Sequence, residues 1–237
     1  MHVPDGFLDA PTSVATGVVA AAGVGLALRK ARAELDDRTA PMAGLVATFM
    51  FAAQMVNFPV GLGTSGHLLG GALAAVLVGP WTGVLAVSVV LLVQALLLAD
   101  GGITAIGTNI TLLALVGVVV GWMVFRTLQK LLPKRVGLVP VLAALGALAS
   151  VPAAAMAFVG LYALGGTAPV PLDSLTVAML GWHTLIGLGE ALITGLVVAS
   201  VVAVRPDLVY GARPALARRE LEIRSGTSRP DAKGLVP

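Results

Sequence analysis

The first two residues, Met1 and His2, carry three nitrogen atoms that could bind one metal ion. They are the α-amine of Met1, the backbone amide of His2 after loss of its proton, and the His2 imidazole. Successive nitrogens would close a five-membered and then a six-membered chelate ring, in a nearly flat arrangement. Such donors suit Ni²⁺, Cu²⁺ and related ions rather than Mg²⁺ or Ca²⁺. The dipeptide is a candidate metal site, although a histidine at position two can also be there without any chemical role.

The start of the chain favours retention of Met1. Residues 1–11 contain Asp5 and Asp9 but no Lys or Arg, unlike the positive start of a cleaved signal peptide. The bulky side chain of His2 also discourages removal of Met1. We therefore expect Met1 to keep its free amine, as the chelate requires.

The composition is that of a membrane protein. The chain is 57% hydrophobic and 11% charged, its mean hydropathy is +0.96, and several apolar runs approach the roughly 20 residues that cross a bilayer as a helix. It has no cysteine, so disulfides and thiolate metal sites are excluded. The sequence predicts an all-α, polytopic membrane protein.

Apolar runs predict seven transmembrane helices. They cover residues 12–29, 41–59, 67–80, 82–99, 109–129, 137–165 and 175–203. The third is short for a full crossing, so we expect it to be tilted or broken. Two glycine-rich interruptions, residues 59–66 and 100–108, separate the second span from the third and the fourth from the fifth.

The positive charges predict the orientation of the bundle. Every Lys and Arg falls in residues 29–38, residues 126–135, Arg205 or the tail that runs through Lys233. With seven helices these places share one side, which the positive-inside rule makes cytoplasmic, so the N-terminus lies outside. The net charge of +3 therefore needs no nucleic-acid partner. The chain divides into a membrane-embedded domain, residues 1–203, with its candidate metal-binding segment 1–11, and a basic, flexible cytoplasmic tail, residues 204–237.

Polar residues within apolar helices usually face the bundle interior or a functional site. Here they are Gln54, Asn57, His67, Gln94, Asn109, His183 and Glu190. His67 follows the interruption at 59–66, on the predicted side of Met1. Irregular backbone at that depth is tolerated only inside protein or beside a cavity. His67 could supply a fourth nitrogen to the chelate, or it could simply hydrogen-bond a neighbour.

Two further pairs of polar residues each share a helix face. His183 and Glu190 lie close to two turns apart on the last helix, and we interpret them as a structural network rather than a metal path. Gln54 and Asn57 are predicted to hydrogen-bond the interruption at 59–66.

Small residues on the first helix form a strip against which another helix could approach closely. Gly17, Ala21 and Gly25 recur at every fourth position. The strip could pack inside this bundle or dock a separate membrane subunit.

Four segments resemble one family of metal importers. Met1–Leu8, MHVPDGFL, resembles the N-terminal signature of the CbiM/NikM family, the substrate-capture (S) components of energy-coupling factor (ECF) importers for cobalt and nickel. The family's further motifs are similar to GTSGHLLGGA at 63–72, ADGGITAIGTN at 99–109 and HTLIGLGEALIT at 183–194. The resemblance covers roughly residues 1–203.

The resemblance implies a fold and a set of ligands. The fold is a seven-helix S-component bundle, with the N-terminal segment inserted from outside. The ligands are the Met1 amine, the His2 amide and imidazole, and His67. Asp5 would orient His2 or the loop without binding the ion, and Asn109 would help to fix the His67 loop.

The resemblance also implies a function in the prokaryotic cell membrane. The cargo would be Co²⁺, for cobalamin synthesis, or Ni²⁺, and no organic cofactor is expected. The chain has no P-loop pattern, so two partner ATPase subunits would hydrolyse ATP, and a transmembrane coupling (T) subunit would transmit the motion. A small auxiliary membrane subunit is a further partner that the family allows; the tail lacks the extra hydrophobic span of the fused version.

Two other functions compete with this interpretation. A proton-coupled secondary metal transporter would need a titrating path, for which His183 with Glu190 is the sole candidate. A membrane metalloenzyme would need a motif such as His-Glu-x-x-His, which the chain lacks. The sequence does not choose between cobalt and nickel.

Overall fold

The computed structural model describes residues 2–36, 39–61 and 64–227, which form a helical bundle. Within them, five helices are long and apolar enough to cross a membrane. In chain order the helices are α1 (Ala10–Lys30), α2 (Ala40–Gln54), α3 (Gly71–Val78), α4 (Pro80–Leu97), α5 (Ile106–Leu131), α6 (Val139–Gly165), α7 (Leu172–Val204) and α8 (Arg213–Thr227). The two strands β1 (Phe58–Gly61) and β2 (Thr64–Gly66) pair antiparallel between α2 and α3.

The helices occupy the seven predicted spans, but two boundaries differ. Helix α2 ends at Gln54 rather than at 59, because Phe58 begins the strand that pairs with Thr64–Gly66. Helix α3 begins at Gly71 rather than at 67, so His67 belongs to a non-helical segment. Seven full crossings stay a prediction, because α2 has 15 residues and α3 has eight. At 1.5 Å per residue, α3 extends only ~12 Å along the bilayer normal at most.

Helix α3 is the centre of the bundle, with all eight of its residues buried. Glycines let its neighbours reach its backbone. A Cβ atom added to Gly121 of α5 would lie 2.6 Å from the Ala72 Cβ, and one added to Gly83 of α4 would lie 3.1 Å from the Ala75 nitrogen. Such close packing of small residues replaces the hydrophobic effect as the force that holds helices together in lipid.

Part of α5, Ile110–Gly117, is a π-helix that starts directly after Asn109. Its wider turn accompanies the complete burial of three successive residues, Leu112, Leu113 and Ala114. Such segments are rare and frequently lie at functional sites. Here the segment follows the asparagine that holds the N-terminal segment of the chain.

The bundle has two chemically different ends. The histidine end carries residues 2–9, which form backbone hydrogen bonds both to residues 99–105 and to residues 166–171. The basic end, at the opposite ends of the same helices, carries the positive residues of 29–32 and 126–135. The fold thus separates the charges along the bundle as the sequence predicts, and the orientation of the two ends in the membrane stays a prediction.

The stretch after α7 corrects the expectation of a flexible tail from residue 204. Two short turns precede α8, and Val209 and Ala212 within them are completely buried. The Gln129 amide donates a 2.7 Å hydrogen bond to the Gly211 carbonyl, and the Arg213 guanidinium lies 4.6 Å above the Tyr210 ring. Residues 206–215 are therefore part of the basic end. The last part of the predicted tail, 228–237, lies outside the described residues.

Of the small-residue strip on α1 (Gly17, Ala21 and Gly25), the first residue packs against another helix of the bundle. A Cβ atom added to Gly107 of α5 would lie 2.4 Å from the Gly17 Cα, so the two backbones touch there. Ala21, by contrast, is exposed, and nothing lies within 4 Å of a Cβ added to Gly25. Only Gly17 of the three is thus used in this helix crossing.

The crossing of α1 and α5 predicts an asymmetric effect of two alanine substitutions. Gly107→Ala should lower the free energy of unfolding by about 1–3 kcal/mol, because the new methyl group meets backbone that cannot move aside cheaply. The measurement is thermal unfolding of the purified chain in detergent. Gly17→Ala is the matched control, since its methyl group would enter open space. Equal melting temperatures for the two variants would contradict the close approach.

Candidate metal centre

The N-terminal segment, residues 2–9, lies across the histidine end and is fixed to the end of α6. The Asp9 N–H donates to the Gly165 carbonyl (2.7 Å), and the Thr167 N–H donates to the Phe7 carbonyl (3.1 Å). The Phe7 ring packs on Tyr162, with 5.4 Å between centroids. These contacts hold the segment that delivers His2.

Asn109 fixes the same segment one residue after His2. Its Oδ1 accepts from the Val3 N–H (2.7 Å) and its Nδ2 donates to the Val3 carbonyl (3.2 Å). The Gly102 N–H donates to the same carbonyl (2.9 Å). Asn109 was expected to help fix the His67 loop. Its amide instead holds the N-terminal segment, through Val3.

Asp5 acts on a different partner from the two that were expected. Its Oδ1 accepts a 2.8 Å hydrogen bond from the Thr104 N–H and another from the Thr104 hydroxyl. These bonds lower the pKa of the Asp5 carboxyl. A Cβ added to Gly102 would lie 2.4 Å from the Asp5 nitrogen, so this glycine permits the close approach. Asp5 therefore joins the N-terminal segment to residues 99–105, and does not itself orient His2.

His67 sits on the loop of residues 67–70, which buried side chains of two helices hold in place. The Glu190 carboxylate of α7 accepts from the Leu69 N–H (2.6 Å) and the Gly70 N–H (3.0 Å). The Gln54 amide of α2 donates to the Leu69 carbonyl (2.7 Å). Glu190 thus bonds loop backbone, which agrees with a structural role, and Gln54 bonds Leu69 rather than the predicted stretch 59–66.

The N-terminal segment and the loop of residues 67–70 bring the His2 and His67 rings face to face. Their centroids are 4.4 Å apart and the rings are inclined by 28°. His2 is 6% exposed and His67 is completely buried. The His67 Nδ1 is 2.7 Å from the Leu68 carbonyl oxygen, whereas its Nε2 has no hydrogen-bond partner in the described part of the chain. Two imidazoles predicted to share a site thus lie together.

Asp100 is a member of the site that the sequence analysis did not select. Its Oδ1 is 2.9 Å from the His2 Nδ1. Burial lowers the pKa of His2, against the opposing effect of Asp100, and the contact with His2 lowers the pKa of the Asp100 carboxyl. At neutral pH the ring is therefore neutral beside a carboxylate. An acidic residue before Gly101-Gly102, on the predicted side of Met1, was the signal that could have found it.

His183 of α7 is a third buried histidine. Its Nδ1 is 2.9 Å from the Met179 carbonyl oxygen of the preceding turn, and the ring is completely buried. The contact is that of a helix side chain with its own backbone, which favours the structural interpretation. Its Nε2, like that of His67, is without a partner among the described residues.

Side chains alone do not complete a metal site here. Within residues 2–36, 39–61 and 64–227, no three His, Cys, Asp or Glu side chains are grouped so as to hold an ion. Two adjacent imidazoles need further donors, and backbone nitrogens at the start of the chain would supply them. Met1, the residue predicted to do so, lies outside the described residues, so its role stays a prediction.

Comparisons with known proteins match the whole membrane domain. The CbiM family, described as the cobalt uptake substrate-specific transmembrane region, matches residues 2–208. The chain belongs to the CbiM family. A fused nickel transport protein, NikMN, of Rhodobacter capsulatus is 34% identical over 241 residues, which are 95% of this chain and 69% of that protein. A Haloquadratum walsbyi protein whose name provisionally assigns it to metal transport is 39% identical over 210 residues, 89% of this chain and 94% of the relative.

A solved structure shares the fold of this CbiM-family chain. It is the crystal structure of a transition metal transporter, with a TM-score of 0.79 and 31% identity, covering 86% of this chain and 93% of the other. Together with the five apolar helices, this makes the chain a multi-pass membrane component of cobalt or nickel transport. Its relatives are transport proteins and not enzymes.

The hydrogen bonds of Asn109 predict how firmly the N-terminal segment is held. Asn109→Ala would leave the buried Val3 N–H without its partner, at a cost of about 1–3 kcal/mol. We expect amide hydrogen exchange in residues 3–8 to become about tenfold faster or more, as measured by mass spectrometry. Asn57→Ala, at an exposed position, is the control. Unchanged exchange in the Asn109 variant would show that other contacts hold the segment.

Proposed function

We propose that this chain is the substrate-capture subunit of an ATP-driven ECF importer for Co²⁺ or Ni²⁺. The observation that carries the proposal is the stacking of the His2 ring, on the N-terminal segment, with the buried His67 ring. Buried imidazoles with unpartnered nitrogens are costly unless a ligand uses them. Nitrogen donors of this kind select a transition metal.

Four nitrogens make up the proposed ligand set. The Met1 amine, the His2 amide and the His2 Nδ1 form the two chelate rings, and only Nδ1 closes the six-membered ring with its own amide. The fourth donor is the His67 Nε2. The contact of His67 Nδ1 with the Leu68 carbonyl supports this assignment, because ligand histidines usually donate their other ring N–H to such an acceptor.

The donor geometry narrows the choice of metal without settling it. A flat set of four nitrogens suits Ni²⁺, and Co²⁺ can accept the same donors. Cu²⁺ would bind more tightly by the intrinsic affinity order, so selectivity depends partly on which ions are available. Because binding displaces protons from the amine, the amide and the imidazoles, affinity should fall in acid.

The proposed transport direction follows from the two ends of the bundle. The seven predicted spans would place the histidine end outside and the basic end in the cytoplasm. The proposed partners are a T subunit, two ATPase subunits and, in some assemblies, a small auxiliary membrane subunit. The exposed Ala21 and the half-buried Gly25, a Cβ on which would meet nothing within 4 Å, form one surface of α1 at which a T subunit could approach closely.

The proposed chelate predicts that the free amine is essential. An N-terminal extension of several residues should reduce Ni²⁺ or Co²⁺ affinity by at least about 100-fold, because it removes the amine from the site while His2 and His67 remain. The measurement is isothermal calorimetry on the untagged and extended chains. Equal affinity in the extended chain would refute the proposed site.

Two histidine variants serve as a matched pair for the same measurement. His67→Ala removes the fourth donor and should weaken binding strongly. His183→Ala removes an equally buried imidazole that bonds its own helix, and should leave the affinity within a few-fold of the original. A larger loss in the His183 variant than in the His67 variant would move the site to α7.

The requirement for ATPase partners is tested by transport. In proteoliposomes, the chain with its partners should accumulate the metal only when ATP is supplied, and the chain alone should not accumulate it under an imposed proton gradient. The Glu190 carboxylate, which a proton path would need, is already engaged by two backbone N–H groups. Proton-driven uptake by the isolated chain would instead establish the secondary transporter.

A further inference from the structure

The Asp100 carboxylate stands between solvent and a buried nitrogen of His2. Its Oδ1 is 2.9 Å from the His2 Nδ1, and its side chain is 24% exposed against 4% for that of His2. Both residues, with Asp5 and Ser65, line a cavity of about 260 Å³ at the histidine end. A cation that enters this cavity meets Asp100 and His2 on the same wall.

The backbone around Asp100 is shaped to hold the carboxylate against His2. Ala99 has a φ of 53°, the one positive φ among the described residues other than glycine, and Gly101 follows with 91°. A left-handed alanine is strained and persists only where its surroundings enforce it. The Asp100 N–H donates to the Gln94 carbonyl (3.0 Å), and a Cβ on Gly101 would lie 3.3 Å from the His2 Cβ.

His2 gives an independent sign that this wall receives a ligand. The residue is 6% exposed, and in the described part of the chain neither its Nδ1, in spite of the nearby Asp100, nor its Nε2 has a hydrogen-bond partner of good geometry. The His67 ring covers one of its faces. A buried polar atom without a partner beside a cavity is costly, and an ion bound at Nδ1 would satisfy that nitrogen.

We propose that Asp100 is the first protein ligand of the arriving divalent cation and passes it to His2. The inference rests on the proposed function, in which His2 binds the metal through Nδ1. In the metal-free protein Asp100 occupies that nitrogen. A carboxylate oxygen replaces one water of the hydrated ion at the cavity wall. The ion then moves to the nitrogen donors, which a transition metal prefers to oxygen. It displaces Asp100 from Nδ1; the proton that Nδ1 holds toward the carboxylate leaves to solvent, and Nε2 takes one up, so the bound ring stays neutral.

The kinetics of metal binding test this role. Stopped-flow mixing of Ni²⁺ with the full chain, with its N-terminus free, gives the association and dissociation rates. Asp100→Asn keeps the shape of the side chain but removes its charge, and should slow association at low salt at least about tenfold. The control is Asp173→Asn, an exposed acidic residue in the first turn of α7 at the same end, for which we expect less than a twofold change.

Salt dependence separates capture of the ion from mere positioning of His2. Association with the unchanged protein should slow as salt is added, and association with the Asn variant should depend on salt much less. Asp100→Glu retains the carboxylate and should keep most of the association rate. A Glu variant as slow as the Asn variant would overturn the proposal.

Two other results would also overturn it. One is an association rate for Asp100→Asn equal to that of Asp173→Asn. The other is a loss of affinity confined to faster dissociation, which is the behaviour of a residue that only positions His2. Failure of the unchanged chain to bind Ni²⁺ or Co²⁺ at equilibrium would refute the proposed function as well, so the two failures are distinguishable.

Discussion

The close stacking of two imidazoles away from water is the constraint on which the rest of the structure depends. His2 and His67 are brought together by two separate stretches of non-helical backbone, each of which must be fixed inside an apolar bundle. Buried backbone groups need hydrogen-bond partners, and lipid supplies none. The bundle supplies them from Asn109 on one side and from Glu190 and Gln54 on the other. Without these anchors neither ring would have a defined position.

Several buried polar residues of this protein therefore form hydrogen bonds with backbone groups. Glu190 resembles a transport residue in the sequence, yet its carboxylate accepts two loop N–H groups. At the basic end Glu34 does the same for the start of α4, by accepting from the Trp81 and Thr82 N–H groups. In both places the acidic side chain lies where a helix begins without its own partners, and its charge suits the positive end of the helix dipole. A carboxylate inside a membrane protein is thus not by itself a proton path.

The sequence predicted the positions of the helices, because these follow from apolar periodicity. The residues alone left His67 open between a ligand and a structural histidine, and the resemblance to the metal-importer family paired it with His2. The sequence did not predict the partners of Asn109 or Asp5. Which backbone group a buried amide or carboxylate meets depends on tertiary packing, and the hydrophobic pattern carries no information about that choice. Asp100 was missed for a related reason. It lies in a glycine-rich interruption, and only the backbone turn there, which the sequence pattern does not predict, places its carboxylate beside His2.

The two segments that carry the proposed ligands are fixed to different helices, and in the proposed importer this has a consequence for release of the ion. His2 is held through Val3 by Asn109 of α5 and through the end of α6. His67 is held by Glu190 of α7 and Gln54 of α2. Each anchor is a hydrogen bond to backbone, so each segment should follow its helices closely. Because metal–nitrogen bonds tolerate little stretching, a small displacement of α2 and α7 against α5 would separate His67 from the proposed chelate without unfolding either segment. A T subunit would then need only to shift these helices, and the shift would open the proposed site.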